Sequence, residues 1–249
     1  MRLGLAIVWT AICSLLLPGA AVCGIGSNTR QMKVGAWVTK IWARGILFVI
    51  GVRLRIDGPR PKRGNFVVSN HVTWLDIAVL GSAYSSNLIA KRELAKLPGF
   101  GFCFRVAGTM FINRESRRDA HRLAAELKDY LAAGLTITMF PEGGIGNGVE
   151  LSKFKSSLLA GAAELSTPCV PAAIHYDLAD VTWCDGTTLG QHARRLMRAK
   201  WRRKRRPGGW SGKPIEARLT FAPPITSDSR KKLTADLESA VREMYQPMG

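Results

Sequence analysis

His71 and Asp76 stand five residues apart in the stretch Ser69-Asn70-His71-Val72-Thr73-Trp74-Leu75-Asp76. An imidazole and a carboxylate are the materials of a general base. The carboxylate accepts the Nδ1 proton, fixes the tautomer and leaves Nε2 open to take a proton. On one regular helix, residues five apart point about 140° away from each other. The two side chains therefore meet only if His71 lies on a loop and Asp76 on the helix that the loop opens. The flanking residues supply that context: Phe66-Val67-Val68 reads as a buried strand and Ile77-Ala78-Val79-Leu80 as a helix. With four histidines in the chain, a His-x4-Asp match arises by chance in roughly one such sequence in seven, so the pair carries weight only in company.

The company is two further polar clusters at the ends of apolar runs. Gly108-Thr109-Met110-Phe111-Ile112 reads as a strand ending in Asn113-Arg114, and Leu135 to Phe140 as a buried strand running into Pro141-Glu142-Gly143-Gly144-Ile145-Gly146-Asn147-Gly148. A shorter strand, Asn87 to Ala90, leads to Lys91. In a parallel sheet such strand ends converge on one edge. There a held base, a cation and a backbone-rich turn come together. No Ser or Cys occupies a G-x-S-x-G elbow, so a covalent acyl-enzyme is not suggested. A base that deprotonates a substrate hydroxyl for direct attack on an activated acyl carbonyl fits better. Each residue also has a purely structural use: Asn70 as a turn cap, Lys91 as a solvated cation, Arg114 in an ion pair with Glu115 or Asp119, and Glu142 as a cap.

The elements that must position these residues alternate. Ser116 to Ala133 is an amphipathic helix with Ala120, Leu123, Ala124, Leu127 and Leu131 on one face and Gly134 at its end. A helix from Lys153 to about Leu165, a strand from Cys169 to Tyr176, a strand from Ile215 to Phe221 and a helix from Lys231 to Tyr245 follow. Pro98 to Phe102 reads as a turn with aromatic residues. Strand–helix–strand alternation predicts an α/β fold, a mostly parallel sheet flanked by helices on both faces.

The 249 residues carry a formal charge of +18, which favours anionic partners such as lipid headgroups, CoA-like molecules or nucleic acid. The five cysteines are scattered and form no C-x-x-C pair, which argues against a disulfide framework or a zinc site. From Leu3 to about Gly24 no residue is charged, and the run is long enough to cross a bilayer. An uncleaved anchor is the preferred reading over a signal peptide. Arg30, Lys33, Lys40 and Arg44 behind it would keep the rest on the cytoplasmic side of a bacterial inner membrane. Residues 34–52 interleave Trp37, Ile41, Trp42, Leu47 and Phe48 with Lys40 and Arg44, as an interfacial or re-entrant helix does. The expected organisation is thus N-terminal membrane helices over 1–52 and an α/β domain over 53–249. The Arg/Lys run over 194–206 has little aromatic interleaving, so anionic membrane lipid is a better partner for it than nucleic acid.

Taken together, Asn70-His71-x4-Asp76, Gly108-Thr109-Met110-Phe111-Ile112-Asn113-Arg114, Phe140-Pro141-Glu142-Gly143 and the later Val170-Pro171 resemble the four ordered blocks of the glycerolipid acyltransferases, most nearly the bacterial 1-acylglycerol-3-phosphate branch. The resemblance runs from about Ile56 to Tyr176. It implies a membrane-associated, glycerol-3-phosphate acyltransferase-like α/β domain that moves an acyl group from acyl-CoA or acyl carrier protein to a lysolipid hydroxyl, with no metal or prosthetic group. By the same resemblance His71 is the base and Asp76 its orienting partner. Arg114 binds the acceptor's phosphate, and Glu142 with Gly143 shapes the acceptor pocket; Asn70 and Lys91 are secondary candidates. One block departs from the pattern. Gly144-Ile145 stands where the family has Thr followed by Arg, or by Thr or Ser, so a bidentate guanidinium is absent from this loop. That departure raises a lyso-ornithine-lipid acceptor beside the phosphate one. It also leaves room for an inactive scaffold that binds membranes or nucleic acid.

Overall fold

A computed structural model describes residues 2–23, 25–96, 100–113, 116–183, 187–202 and 214–247. Its helices are α1 (Arg2–Cys23), α2 (Asn28–Ile50), α3 (Leu75–Ala83), α4 (Phe100–Val106), α5 (Arg117–Ala132), α6 (Ala160–Glu164), α7 (Leu189–Arg202) and α8 (Arg230–Met244). The strands are β1 (Val52–Asp57), β2 (Phe66–Ser69), β3 (Asn87–Lys91), β4 (Met110–Ile112), β5 (Ile137–Met139), β6 (Cys169–Tyr176) and β7 (Ile215–Phe221). They form one sheet in the order β1-β7-β6-β2-β5-β3-β4. The five strands from β6 to β4 are mutually parallel. Among the pairings of the described strands β6–β7 is the antiparallel one, and β1 lies parallel to β7 at the edge. The mostly parallel α/β sheet expected from the alternation is therefore present.

Side chains alternate across the sheet because a strand turns successive residues to opposite faces. Val67 joins Ala172, Ile174 and Leu219 against Ile46 and Leu47 of α2, Leu75, Val79 and Leu80 of α3, and Leu196 of α7. Phe66 and Val68 join Ile137, Met139 and Ala173 against Leu123 and Leu127 of α5 and Leu233 and Leu237 of α8. β2 is thus buried on both faces, which is why its sequence is a continuous apolar run rather than an alternating one. α5 begins as its sequence suggests: the Ser116 hydroxyl accepts the Asp119 N–H, and Gly134 follows the helix at positive φ.

Four elements differ from expectation. β1 was not anticipated, although Val52, Leu54 and Ile56 alternate with Arg53, Arg55 and Asp57 in the manner of an edge strand. α4 replaces part of the expected aromatic turn. The predicted helix from Lys153 opens instead with a tight 3-10 turn over Ser156–Leu159 before α6. α7 occupies part of the basic run, because His192, Ala193 and Leu196 return to one buried face at helical spacing.

The N-terminus requires a correction. Among the described residues, no helix is long and apolar enough to cross a membrane. α1 contains Pro18 and turns at Gly26, φ +79°, onto α2, which carries Arg30, Lys33, Lys40 and Arg44. The hairpin is bound to itself and to the body of the fold. Trp9 Nε1 donates to the Trp42 carbonyl at 3.0 Å, Trp42 Nε1 donates to Thr10 Oγ1 at 3.1 Å, and Gly45 leaves room for the Trp9 ring. Ala43, Ile46, Leu47 and Ile50 of α2 are buried in the same core as the sheet.

Candidate active site

The loop between β2 and α3 bends because Asp76 gathers its backbone. Asp76 is fully buried at the start of α3, where a carboxylate also faces the positive end of the helix. Its Oδ2 accepts the backbone N–H groups of Val72 at 2.7 Å and Thr73 at 2.9 Å, and Oδ1 accepts the Tyr176 hydroxyl at 2.8 Å. The same Oδ2 lies 2.8 Å from His71 Nδ1. An ionised carboxylate only accepts, so Nδ1 carries the proton and Nε2 of the neutral ring does not. The His71 side chain is 15% exposed, and its Nε2 has no hydrogen-bond partner among the described residues. Asp76 also holds Tyr176, with burial, far from ionising: the phenol is raised well above its ordinary value by desolvation and by the adjacent carboxylate.

The glycine-rich loop after β5 holds the histidine from the other side. β5 neighbours β2 in the sheet, so the two strand exits lie side by side. Phe140 stacks on the imidazole with ring centroids 4.0 Å apart and planes 14° from parallel. Glu142 Oε1 accepts the His71 backbone N–H at 2.7 Å and Oε2 accepts that of Ser152 at 3.1 Å. Gly146 N–H donates to the His71 carbonyl at 2.6 Å. Both backbone groups of His71 are therefore engaged by residues 142–146. Burial pushes the Glu142 carboxyl above the ordinary carboxylate range, against the two N–H groups that favour its charge. Gly143 has φ +81°, a conformation that favours glycine, and a Cβ on Gly146 would press against Glu142 Oε2 at 3.2 Å.

The structure brings His71, Asp76, Glu142 and Gly143 together. Asn70 points elsewhere. Fully buried, it donates to the Ile174 carbonyl at 3.0 Å and accepts the Ile174 N–H at 2.7 Å, completing the pairing of β6 where β2 ends. It acts as a structural bracket between β2 and β6. Lys91 is exposed at the end of β3, two strand positions from β2, about 10 Å across the sheet. Arg114 lies outside the described residues, as do Arg203 to Arg206 of the basic run. Asn113, just before Arg114, donates its backbone N–H to Asp119 Oδ2 at 2.9 Å. That bond holds the Asp119 carboxyl below its ordinary value, with the guanidinium groups of Arg122 and Arg92 adding to the effect.

Sequence reasoning missed Tyr176, Phe140, Gly146 and Ser152 as parts of the site. Phe140 left a trace by its place at the strand end directly before Pro141-Glu142, and Gly146 by its place in the glycine-rich loop. Tyr176 and Ser152 reach Asp76 and Glu142 through the tertiary fold. The arrangement offers an oriented imidazole at the mouth of two parallel strands, with Nδ1 held by a carboxylate that can stabilise an imidazolium and Nε2 turned away from it.

Comparison with known proteins bears on the family. The Acyltransferase family model matches residues 52–175. The 1-acyl-sn-glycerol-3-phosphate acyltransferase of Neisseria meningitidis is 35% identical over 53% of this chain and 53% of its own length. A lyso-ornithine lipid O-acyltransferase of Pseudomonas aeruginosa is 31% identical over 80% of this chain and 75% of its own. The chain thus spans about half the length of the Neisseria relative and three quarters of the Pseudomonas one. The crystal structure of the 1-acyl-sn-glycerophosphate (LPA) acyltransferase of Thermotoga maritima covers 98% of this chain and 96% of its own with a TM-score of 0.63; at 19% identity that likeness speaks for the fold alone. With a family match that spans both His71 and Glu142, and a relative that it follows along most of its length, the chain belongs to the acyltransferase family.

Proposed function

We propose that the protein transfers a fatty acyl group from acyl-CoA or acyl carrier protein to the free hydroxyl of a lysolipid, with His71 as general base and Asp76 as its orienting carboxylate. The observation that carries this reading is the 2.8 Å contact between His71 Nδ1 and the buried Asp76 carboxylate, which assigns the neutral ring's proton to Nδ1 and makes Nε2 its acceptor. Nε2 takes the hydroxyl proton as the oxygen attacks the thioester carbonyl. The C–O ester bond forms, the C–S bond breaks, and the departing thiolate recovers the proton from Nε2. Asp76 stabilises the imidazolium between the two proton transfers.

1-Acylglycerol-3-phosphate is the leading acceptor, giving phosphatidic acid, with Arg114 and Lys91 as the cations for its phosphate. Lyso-ornithine lipid is the second reading. It is favoured by Gly144-Ile145, which put no cation on the exposed part of the glycine-rich loop. The site is proposed to work at the cytoplasmic face of a bacterial inner membrane. Leu5, Val8, Ile12 and Leu15 of α1, Phe48 of α2 and Phe102 of α4 are all about half or more exposed. Returning these six side chains to an apolar medium is worth on the order of 5 kcal/mol, enough to seat the hairpin in one leaflet. Exposed Arg194 and Arg198 of α7 would add roughly 1 kcal/mol each at an anionic surface.

The test is acyl transfer by the purified full chain on phosphatidylglycerol-containing vesicles, with labelled oleoyl-CoA and either lysophosphatidic acid or lyso-ornithine lipid. His71→Ala is expected to be inactive with both. Turnover retained by that variant at more than a few per cent of the parent ends the proposal. The acceptor with the higher kcat/KM decides between the two readings.

A further inference from the structure

Outside the base and its carboxylate, one buried histidine has both ring nitrogens engaged, one with the loop between His71 and Asp76 and the other with the backbone at Val181 and Thr182. His192 of α7 is 1% exposed. Trp74, inside the His71–Asp76 segment, donates its indole N–H to His192 Nδ1 at 2.9 Å. An indole N–H only donates, so Nδ1 is the acceptor and the ring proton sits on Nε2. Nε2 in turn donates to the carbonyls of Val181, at 2.9 Å, and Thr182, at 3.2 Å. Trp183 stacks on the His192 ring, centroids 5.2 Å apart, and its backbone N–H donates to the Val72 carbonyl at 2.9 Å. Arg195, one turn on, donates to the same Thr182 carbonyl at 2.8 Å.

The loop that carries the base is thus held at two points, by Trp183 and by His192 of α7. Val72 is held through its carbonyl by Trp183 while its N–H is held by Asp76. Trp74 is held through its indole. Neither His192 nor Trp183 belongs to the strand ends that build the site.

We infer that His192 is a positioning residue for acyl transfer: through Trp74 it locks the loop between His71 and Asp76 in the conformation that points Nε2 at the acceptor hydroxyl. The inference rests on His71 as the base. Loss of the lock leaves the acceptor and donor surfaces intact but lets the imidazole wander, so kcat falls while KM stays. Misplacement of a reacting group by about 1 Å costs roughly 100-fold.

The experiment compares Trp74→Phe, His192→Leu, their double variant and His192→Gln in the full chain on vesicles, with kcat, KM and thermal midpoint measured for each. Trp74→Phe and His192→Leu are each expected to lower kcat roughly 10- to 100-fold with KM within threefold. The double variant is expected to be no worse than the poorer single one, because both remove the same hydrogen bond. Glutamine can accept from Trp74 through Oε1 and donate to Val181 through Nε2, so His192→Gln should recover kcat to within about threefold. Parent-like kcat in both single variants overturns the inference. So does a loss that tracks the folded fraction or that glutamine fails to restore. His71→Ala run beside them separates the two ideas. Activity there defeats the base itself, whereas an inactive His71→Ala with fully active latch variants defeats the latch alone.

Discussion

Replacing Asp76 by Asn tests the charge of the carboxylate separately from its shape. The asparagine oxygen can take the place of Oδ2 and keep the bonds from His71 Nδ1, Val72 N and Thr73 N, while its NH2 group faces the Tyr176 hydroxyl, which can rotate to accept. The tautomer of His71 is then preserved and the loop stays folded. What disappears is the negative charge beside the imidazolium that forms as the hydroxyl proton arrives. Two unit charges about 4 Å apart at an effective dielectric near 20 interact by about 4 kcal/mol. Each 1.36 kcal/mol is a factor of ten, so kcat should fall roughly 1,000-fold. Three N–H bonds to a charged acceptor also become neutral ones, at about 1 kcal/mol each, so the thermal midpoint drops without loss of the fold. The assay is single-turnover transfer of labelled oleoyl groups on vesicles, with circular dichroism to confirm that the chain is folded. A folded Asp76→Asn variant within tenfold of the parent would refute the claim that this carboxylate stabilises a developing imidazolium.

Glu142→Gln turns an NH2 group toward one of two N–H donors, since His71 N and Ser152 N already occupy the two oxygens. It should cost about 1–3 kcal/mol and lower kcat, read by denaturant unfolding and turnover, whereas an unchanged midpoint would show that the loop re-forms its contacts. Asn70→Ala strands the Ile174 N–H and carbonyl beside β2, at about 1–3 kcal/mol for each unmet group, so chemical denaturation should show one of the larger losses among site variants. Burial, with the positive charge of Arg195 adding to it, holds His192 below its ordinary value of 6.5 against the pull of the Val181 and Thr182 carbonyls and of Asp180. Its neutral form contributes stability that is fully present above about pH 6.5 and is lost as pH falls through the depressed value. The thermal midpoint of the parent should therefore fall on acidification below that pH by more than that of His192→Gln. Parallel curves would contradict the assignment.

Much of the site was legible because its chemistry is local. Five residues separate the base from its carboxylate, and a loop-to-helix junction is the one local geometry that lets them meet; α3 begins at Leu75, as that argument requires. The run Phe140-Pro141-Glu142-Gly143 lay at a strand end, and its strand pairs beside the one that bears His71. Strands β2 to β7 follow from apolar runs and their punctuation. The apolar N-terminus was read as membrane-crossing from hydropathy alone. Hydropathy does not register that α2 packs Ala43, Ile46 and Leu47 into the main core, so the hairpin is part of the fold.

The sequence by itself determined strands β2 to β7, the mostly parallel character of their sheet and the one local geometry in which His71 can meet Asp76, because periodicity, turn residues and short spacings act within a few residues. Only the tertiary structure decided that Tyr176 closes the far side of Asp76, that Asn70 pairs with the backbone of β6, and that His192 reaches back to Trp74. Those partners are 100, 104 and 118 residues apart in the chain. Contacts of that range leave no period or spacing in the sequence; they exist because strand order and helix packing bring distant polar groups into a buried space where each must find a partner.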